Sequence, residues 1–249
     1  MRKSFFLGVF VLALVFLVSL VASAPARLLS LVLPGEQIVL QGLSGTLWQG
    51  SASRCMMRLP AGYLHLGAVQ WSLDPLSLLL LAPKVQLSSE WGQQRIKGEL
   101  VLRGAQDLDV RDLEGQVQAN LLRHFAPVAL NGTFSMQIAS LQLRDGLPHS
   151  GKGRVLWEQG SWQSPRGPIQ LGSYALDFEQ AEGAPLEGKV VTLEGPLEAE
   201  GGLTLDQRKY TLDILVGSQE TLDPQLQQAL SLVAAPEGDN YRLFLESDF

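Results

Sequence analysis

The sequence predicts a mainly β protein: an N-terminal transmembrane helix, then a large curved or folded antiparallel β-sheet with two or three short helices. Three observations predict it. Phe5 to Ala24 is an apolar run without a single charge. Beyond Pro25 the hydrophobic period falls to two, as in strands with one buried and one wet face. Short turn signals rich in glycine and proline punctuate the remainder.

The apolar run is long enough to cross a bilayer, because about twenty helical residues rise about 30 Å. Arg2 and Lys3 precede it and only Arg27 follows closely, so the positive-inside tendency places the N-terminus in the cytoplasm. The competing reading is a cleaved signal peptide, since Ala22-Ser23-Ala24 has the small residues of a cleavage site. The run exceeds the usual signal-peptide core, and Pro25 would sit just after the cut; both favour an uncleaved anchor. The expected division is a cytoplasmic stub and anchor over residues 1–24 and a periplasmic β-rich domain over 25–249. No cysteine follows the apolar run, which excludes a lipoprotein.

The alternation assigns one face of the sheet. Leu100 and Leu102, Leu108 and Val110, Phe134 and Met136, Tyr174, Leu176 and Phe178, and Leu212 and Ile214 each stand two apart. Residues two apart share a face, so these side chains should form one apolar surface. Asn131-Gly132, Asp145-Gly146, Arg166-Gly167-Pro168, Gly195-Pro196 and Gly201-Gly202 read as turns. The phase slips around Gly67 and near Ala139, which one extra residue in a strand would produce, so a bulge is expected at each. Asp74-Pro75 and Asp223-Pro224 each offer an N-cap and an N1 proline, the first for Leu76 to Leu81 and the second for a helix carrying Leu226, Leu230 and Val233. Arg27 to Leu33 forms a third short helical stretch.

Composition excludes several functions. Of 249 residues, 18% are charged and 46% hydrophobic, so the chain is neither disordered nor multi-spanning. A net charge of -6 with no basic cluster excludes nucleic acid as a partner. Cys55 is the only cysteine, which removes disulfides and cysteine-based zinc sites. His65, His124 and His149 lack metal or triad spacing, and no nucleophile elbow, P-loop or dinucleotide fingerprint occurs. Asp107, Asp109, Asp112 and Glu114 lack the calcium-loop pattern and read as a solvated edge. No catalytic, cofactor or metal residue is assigned, and the chain does not read as an enzyme.

The run Leu43-Ser44-Gly45-Thr46-Leu47-Trp48-Gln49-Gly50 reads as a turn, then a strand packing Trp48 as a buried aromatic, then a second glycine turn. It resembles the protein N family of the type II secretion system. Trp71-Ser72-Leu73-Asp74-Pro75-Leu76-Ser77-Leu78-Leu79 is similar to that family's following segment, and Leu222-Asp223-Pro224-Gln225-Leu226 to its C-terminal end. The resemblance implies a single-pass inner-membrane protein with its bulk in the periplasm, an accessory of an apparatus exporting folded proteins, working through contacts with other secretion components. It carries no catalytic residues over. A remoter similarity to AsmA-like proteins implies the alternative, a periplasmic protein handling lipid or another hydrophobe in an apolar groove. A closed sheet with Leu100, Leu102, Leu108, Val110, Phe134, Met136, Leu176 and Phe178 filling its core would favour the first reading, and an open sheet presenting them as an apolar channel the second.

Overall fold

A computed structural model describes residues 19–32, 38–59, 62–104, 106–124, 129–218 and 221–248, together with residues 12 and 16. Most of the expected membrane span lies outside the described residues. Among the described residues no helix is long and apolar enough to cross a membrane.

The strands follow one another at short intervals: β1 (Ile38–Gly45), β2 (Gln49–Leu59), β3 (Gly62–Asp74), β4 (Lys84–Trp91), β5 (Gln94–Leu102), β6 (Leu108–Gln118) and β7 (Leu130–Arg144). The second half continues with β8 (Leu147–Ser164), β9 (Gly167–Gln180), β10 (Leu186–Glu194), β11 (Leu197–Asp206), β12 (Lys209–Ser218), β13 (Ala235–Glu237) and β14 (Asn240–Asp248). Connections this short permit only hairpins, and the result is one 14-stranded antiparallel sheet in sequence order up to β12. The single departure is at the end, where β14 pairs with β12 and β13 folds back outside it.

Among the described residues the helices are few and short. A 3-10 turn, Ala26–Leu28, runs into α1 (Leu29–Val32), while α2 (Pro75–Leu79) joins β3 to β4 and α3 (Pro224–Val233) joins β12 to β13. Both aspartate–proline pairs cap as their chemistry predicts. The Asp74 carboxylate accepts from the Leu76 N–H at 3.0 Å and that of Asp223 from the Gln225 N–H at 2.8 Å. In each case proline stands where a helix leaves its first N–H unsatisfied.

Cross-strand register shows how the alternation sorts into faces. One row runs Leu43, Ala52, Val69, Ser89, Ile96, Gly115, Met136, Val155, Leu176, Val190, Gly201, Ile214 and Leu243. A neighbouring row on the opposite face runs Lys97, Glu114, Gln137, Arg154, Asp177 and Lys189. Lys97 pairs with Glu114 at 2.9 Å, and Arg154 with Asp177. One face of the sheet is therefore apolar and the other carries alternating charge, the cross-strand pairing that opposite charges favour.

Glycines thin the apolar face at regular places. A Cβ on Gly98 would lie 3.0 Å from the Leu113 side chain, and one on Gly153 would lie 2.7 Å from the Phe178 ring. A large side chain on one strand thus covers the bare backbone of the next. Bulges add bends. Register shifts stand beside Gly67 (φ 74°) and between Ile138 and Ser140, where the phase of the sequence slips. Two expected turns lie inside strands instead, the first at a register shift. Asn131-Gly132 lies within β7 and Gly201-Gly202 within β11; Gly132 and Gly201 take φ of 109° and 148° without ending their strands. Glycine marks a left-handed backbone equally in a turn and in a bulge, and the two signals coincide in sequence.

Among the described residues no second layer covers most of the apolar face. The one compact core is small: Ala26, Ala52 and Trp71, with Leu29, Leu40, Leu43, Val85 and Leu87 around them. Among the described residues no large side chain is fully buried, and the chain leaves 16359 Å² accessible to solvent. A compact monomer of 27.1 kDa would leave about 11,000 Å². A sheet folded into a closed sandwich would bury its inner face, and this sheet does not.

Candidate functional site

Two features concentrate the residues singled out by sequence. The first is the link between the N-terminal segment and the sheet. The motif Leu43 to Gly50 is not a strand carrying Trp48. Leu43, Ser44 and Gly45 end β1, Thr46 to Trp48 form the turn, and Gln49 and Gly50 open β2. Thr46 closes the turn twice, its N–H donating to the Gln49 carbonyl at 2.8 Å while its Oγ1 accepts from the Gln49 N–H at 3.1 Å. Gly45 (φ 82°) needs the absence of a side chain, because a Cβ there would sit 2.5 Å from the Gln49 carbonyl oxygen.

This turn holds the chain that enters from the N-terminus. The Leu47 N–H donates to the Ala24 carbonyl at 2.8 Å, and Thr46 bridges to Pro25. The Trp48 indole N–H donates to the Val21 carbonyl at 2.9 Å, occupying an acceptor near the end of the helix. On the other side the Trp71 indole donates to the Leu47 carbonyl at 3.1 Å, and the Leu73 N–H to the Trp48 carbonyl at 2.7 Å. Trp48 is half-buried in a turn, whereas Trp71 is the aromatic packed into the core at 8% exposure. The glycine–tryptophan pattern reveals a tight aromatic corner without saying which tryptophan goes inside.

The second feature is the apolar face. Register puts Leu100, Leu102, Leu108, Val110, Phe134, Met136, Leu176 and Phe178 on one side of the sheet. Most remain half-buried, shielded by row neighbours only. An aromatic ladder crosses three strands there. Phe134 stacks on Trp157 at 5.8 Å, and Trp157 packs tilted against Tyr174 at 5.7 Å between ring centroids. The Trp157 indole donates to the Asn131 carbonyl at 3.1 Å, and the Tyr174 hydroxyl to Leu171 at 2.6 Å. Burial pushes the Tyr174 phenol up to about 12. Trp157 lies three residues before the Gly160 bulge, so its strand phase was not legible in sequence. An open cavity of about 1230 Å³ spans β6 to β11, and its apolar-face lining includes Leu113, Ile138, Phe178 and Leu203.

The acidic cluster is not a solvated edge. Strand β6 is internal, and Asp109 is 2% exposed. Its Oδ2 accepts from Arg103 Nε at 3.0 Å and its Oδ1 lies 2.8 Å from Arg144 Nη1. Burial works to raise the carboxyl's pKa, but the hydrogen bonds and charges of Arg144 and Arg103 outweigh it and hold Asp109 below the usual carboxylate range. Asp107 accepts from the Asp145 N–H at 3.0 Å, tying one hairpin to the next. The arginines lie 6 and 35 positions from Asp109, so only the strand register brings the three together. Among the described residues no group of histidine, cysteine and carboxylates could hold a metal. His65 instead stacks on Trp91 at 5.9 Å, and His149 pairs with Glu182 at 3.5 Å.

Residues 36–243 match the family of type II secretion system (T2SS) protein N. The chain belongs to that family. It is 28% identical over 243 residues to the type II secretion system protein N of Vibrio cholerae serotype O1, covering 90% of each chain. It is 27% identical over 231 residues to the protein of that name from Aeromonas hydrophila, covering 88% of each. A third relative, from Klebsiella pneumoniae, is 27% identical over 165 residues, covering 64% of this chain and 62% of its own. No solved structure matches. The family match begins just before β1 and ends within β14, so it coincides with the sheet and includes the turn built around Trp48.

Proposed function

We propose that this chain is an accessory component of the type II secretion apparatus, held in the inner membrane by residues 1–24 and acting through protein contacts of the periplasmic sheet, residues 25–249. The family match over residues 36–243 carries the reading. Secretion components are the proposed partners, and the chain is not an enzyme.

The uncovered apolar face favours a second reading, a lipid- or hydrophobe-handling protein of AsmA-like character. Leu100, Leu102, Leu108, Val110, Phe134, Met136, Leu176 and Phe178 would be its lining. A photo-reactive amino acid at position 134 or 178 in intact cells separates the two. Adducts to another secretion component support the first reading, and adducts to lipid replace it with the second. Deleting the gene should lower export of the apparatus's substrates if the first holds.

A further inference from the structure

The sharpest unexplained patch lies on the β3–β4 connection. Leu76, Leu79, Leu80 and Leu81 expose 71%, 80%, 80% and 86% of their surface. A soluble surface scatters exposed leucines singly and does not bunch four on one projection. The stretch from Pro75 to Pro83 contains no charged residue, and Asp74 and Lys84 bracket it.

Its backbone is built to leave water. The N–H groups of Leu76, Leu80, Leu81, Ala82 and Lys84 all donate within the connection: to the Asp74 carboxylate (3.0 Å), to Ser77 O (3.2 Å), to Leu78 O (3.0 Å), to Ser77 O (3.2 Å) and to Ser77 Oγ (2.8 Å). Ser77, buried at the base, donates its own hydroxyl to the Asp74 carbonyl at 2.5 Å. Hydrocarbon demands this satisfaction of backbone donors. Leu81 also holds φ at 52°, an uncommon conformation for a bulky residue, which turns its side chain outward at 86% exposure.

Position in the sheet points to the occupant. The turn holding Val21, Ala24 and Pro25 reaches β3 through the Leu73 N–H bonded to Trp48 O at 2.7 Å, one residue before Asp74. The leucines therefore project at the end of the sheet where the apolar N-terminal segment joins it. Leu20 and Val21 of that segment are exposed as well.

We infer that Leu76, Leu79, Leu80 and Leu81 form a second membrane contact, dipping into the outer leaflet of the bilayer that holds the N-terminal segment. The two contacts would fix the sheet's tilt at the membrane surface, which one helix alone does not. This rests on the anchor reading above, and the test keeps the two separable.

The full chain, with Cys55→Ala as background, receives single cysteines by Leu80→Cys, Leu81→Cys, Phe16→Cys or Leu232→Cys. Each is labelled with an environment-sensitive fluorophore and reconstituted into phosphatidylethanolamine–phosphatidylglycerol vesicles, after its far-UV spectrum is matched to the parent. Leu232 is the control, exposed on α3 at the opposite end of the strands. Probes at 80 and 81 should be quenched by brominated lipid and shielded from aqueous iodide, and the probe at 232 the reverse. Iodide quenching at 80 and 81, shielding from both quenchers, or lipid quenching at 232 overturns the inference. Lipid quenching at 16 without quenching at 80 and 81 overturns it while the anchor stands. Quenching at 80 and 81 without quenching at 16 keeps it and removes the anchor.

Discussion

The first three strands and the middle of the sheet share sequence pattern and face, yet they are held differently. Over β1 to β3 the Ala26–Leu28 turn and Leu29 lie on the apolar face, and Ala26, Ala52 and Trp71 are buried between them. Over β6 to β10 the same face carries Met136, Phe178 and Val190 with no buried cluster among the described residues. In the first region burial against a second element supplies stability. In the second, side chains shelter one another along rows, and charge pairs run along the opposite face. The contrast shows that period-two alternation is compatible with a packed core and with an open surface alike.

The largest effect should come from emptying the covered region. Trp71→Ala removes the core aromatic and the donor to Leu47, and should cost about 3–5 kcal/mol in urea unfolding. The Thr46–Trp48 turn should loosen with it, read as faster amide exchange at Leu47. A loss below that of Phe178→Ala would break the comparison.

Asp109 sharpens it from the electrostatic side. Asp109→Ala leaves Arg103 and Arg144 without their shared carboxylate and should cost about 1.5–3 kcal/mol, as for hydrogen bonds to charged groups. Because the folded-state pKa lies below the unfolded one, the stabilisation is complete above about pH 4. It is lost as pH falls through the folded value. Urea midpoints of the parent should therefore decline in acid more steeply than those of Asp109→Ala.

On the open face Phe178→Ala should cost only about 1–2 kcal/mol, since the ring is only half-buried and no enclosed cavity forms. Arg154→Ala on the charged face should be smallest, leaving the urea midpoint unchanged within error, because exposed ion pairs are weak and salt-screened. A marked drop there would mean that the charged rows brace the sheet where no core does.

Much of this protein was legible in its residues because the determinants are local. Alternation assigns side chains to faces, aspartate followed by proline starts both capped helices, and a phase slip at Gly67 or Ala139 marks a bulge. Family membership was legible from the turn at Leu43 to Gly50 and its two companion segments. Tertiary structure decided what local rules leave open. Residues two apart share a face whatever lies opposite, so only the packed chain reveals that the face stays open past β3. Trp48 meets Val21 across 27 positions through the β1–β2 turn, and Asp109 meets Arg144 across 35 through strand register; no single segment encodes either. Gly132 and Gly201 lie inside strands where turns were expected, because a positive-φ glycine fits either place and its hydrogen-bonded neighbours decide which.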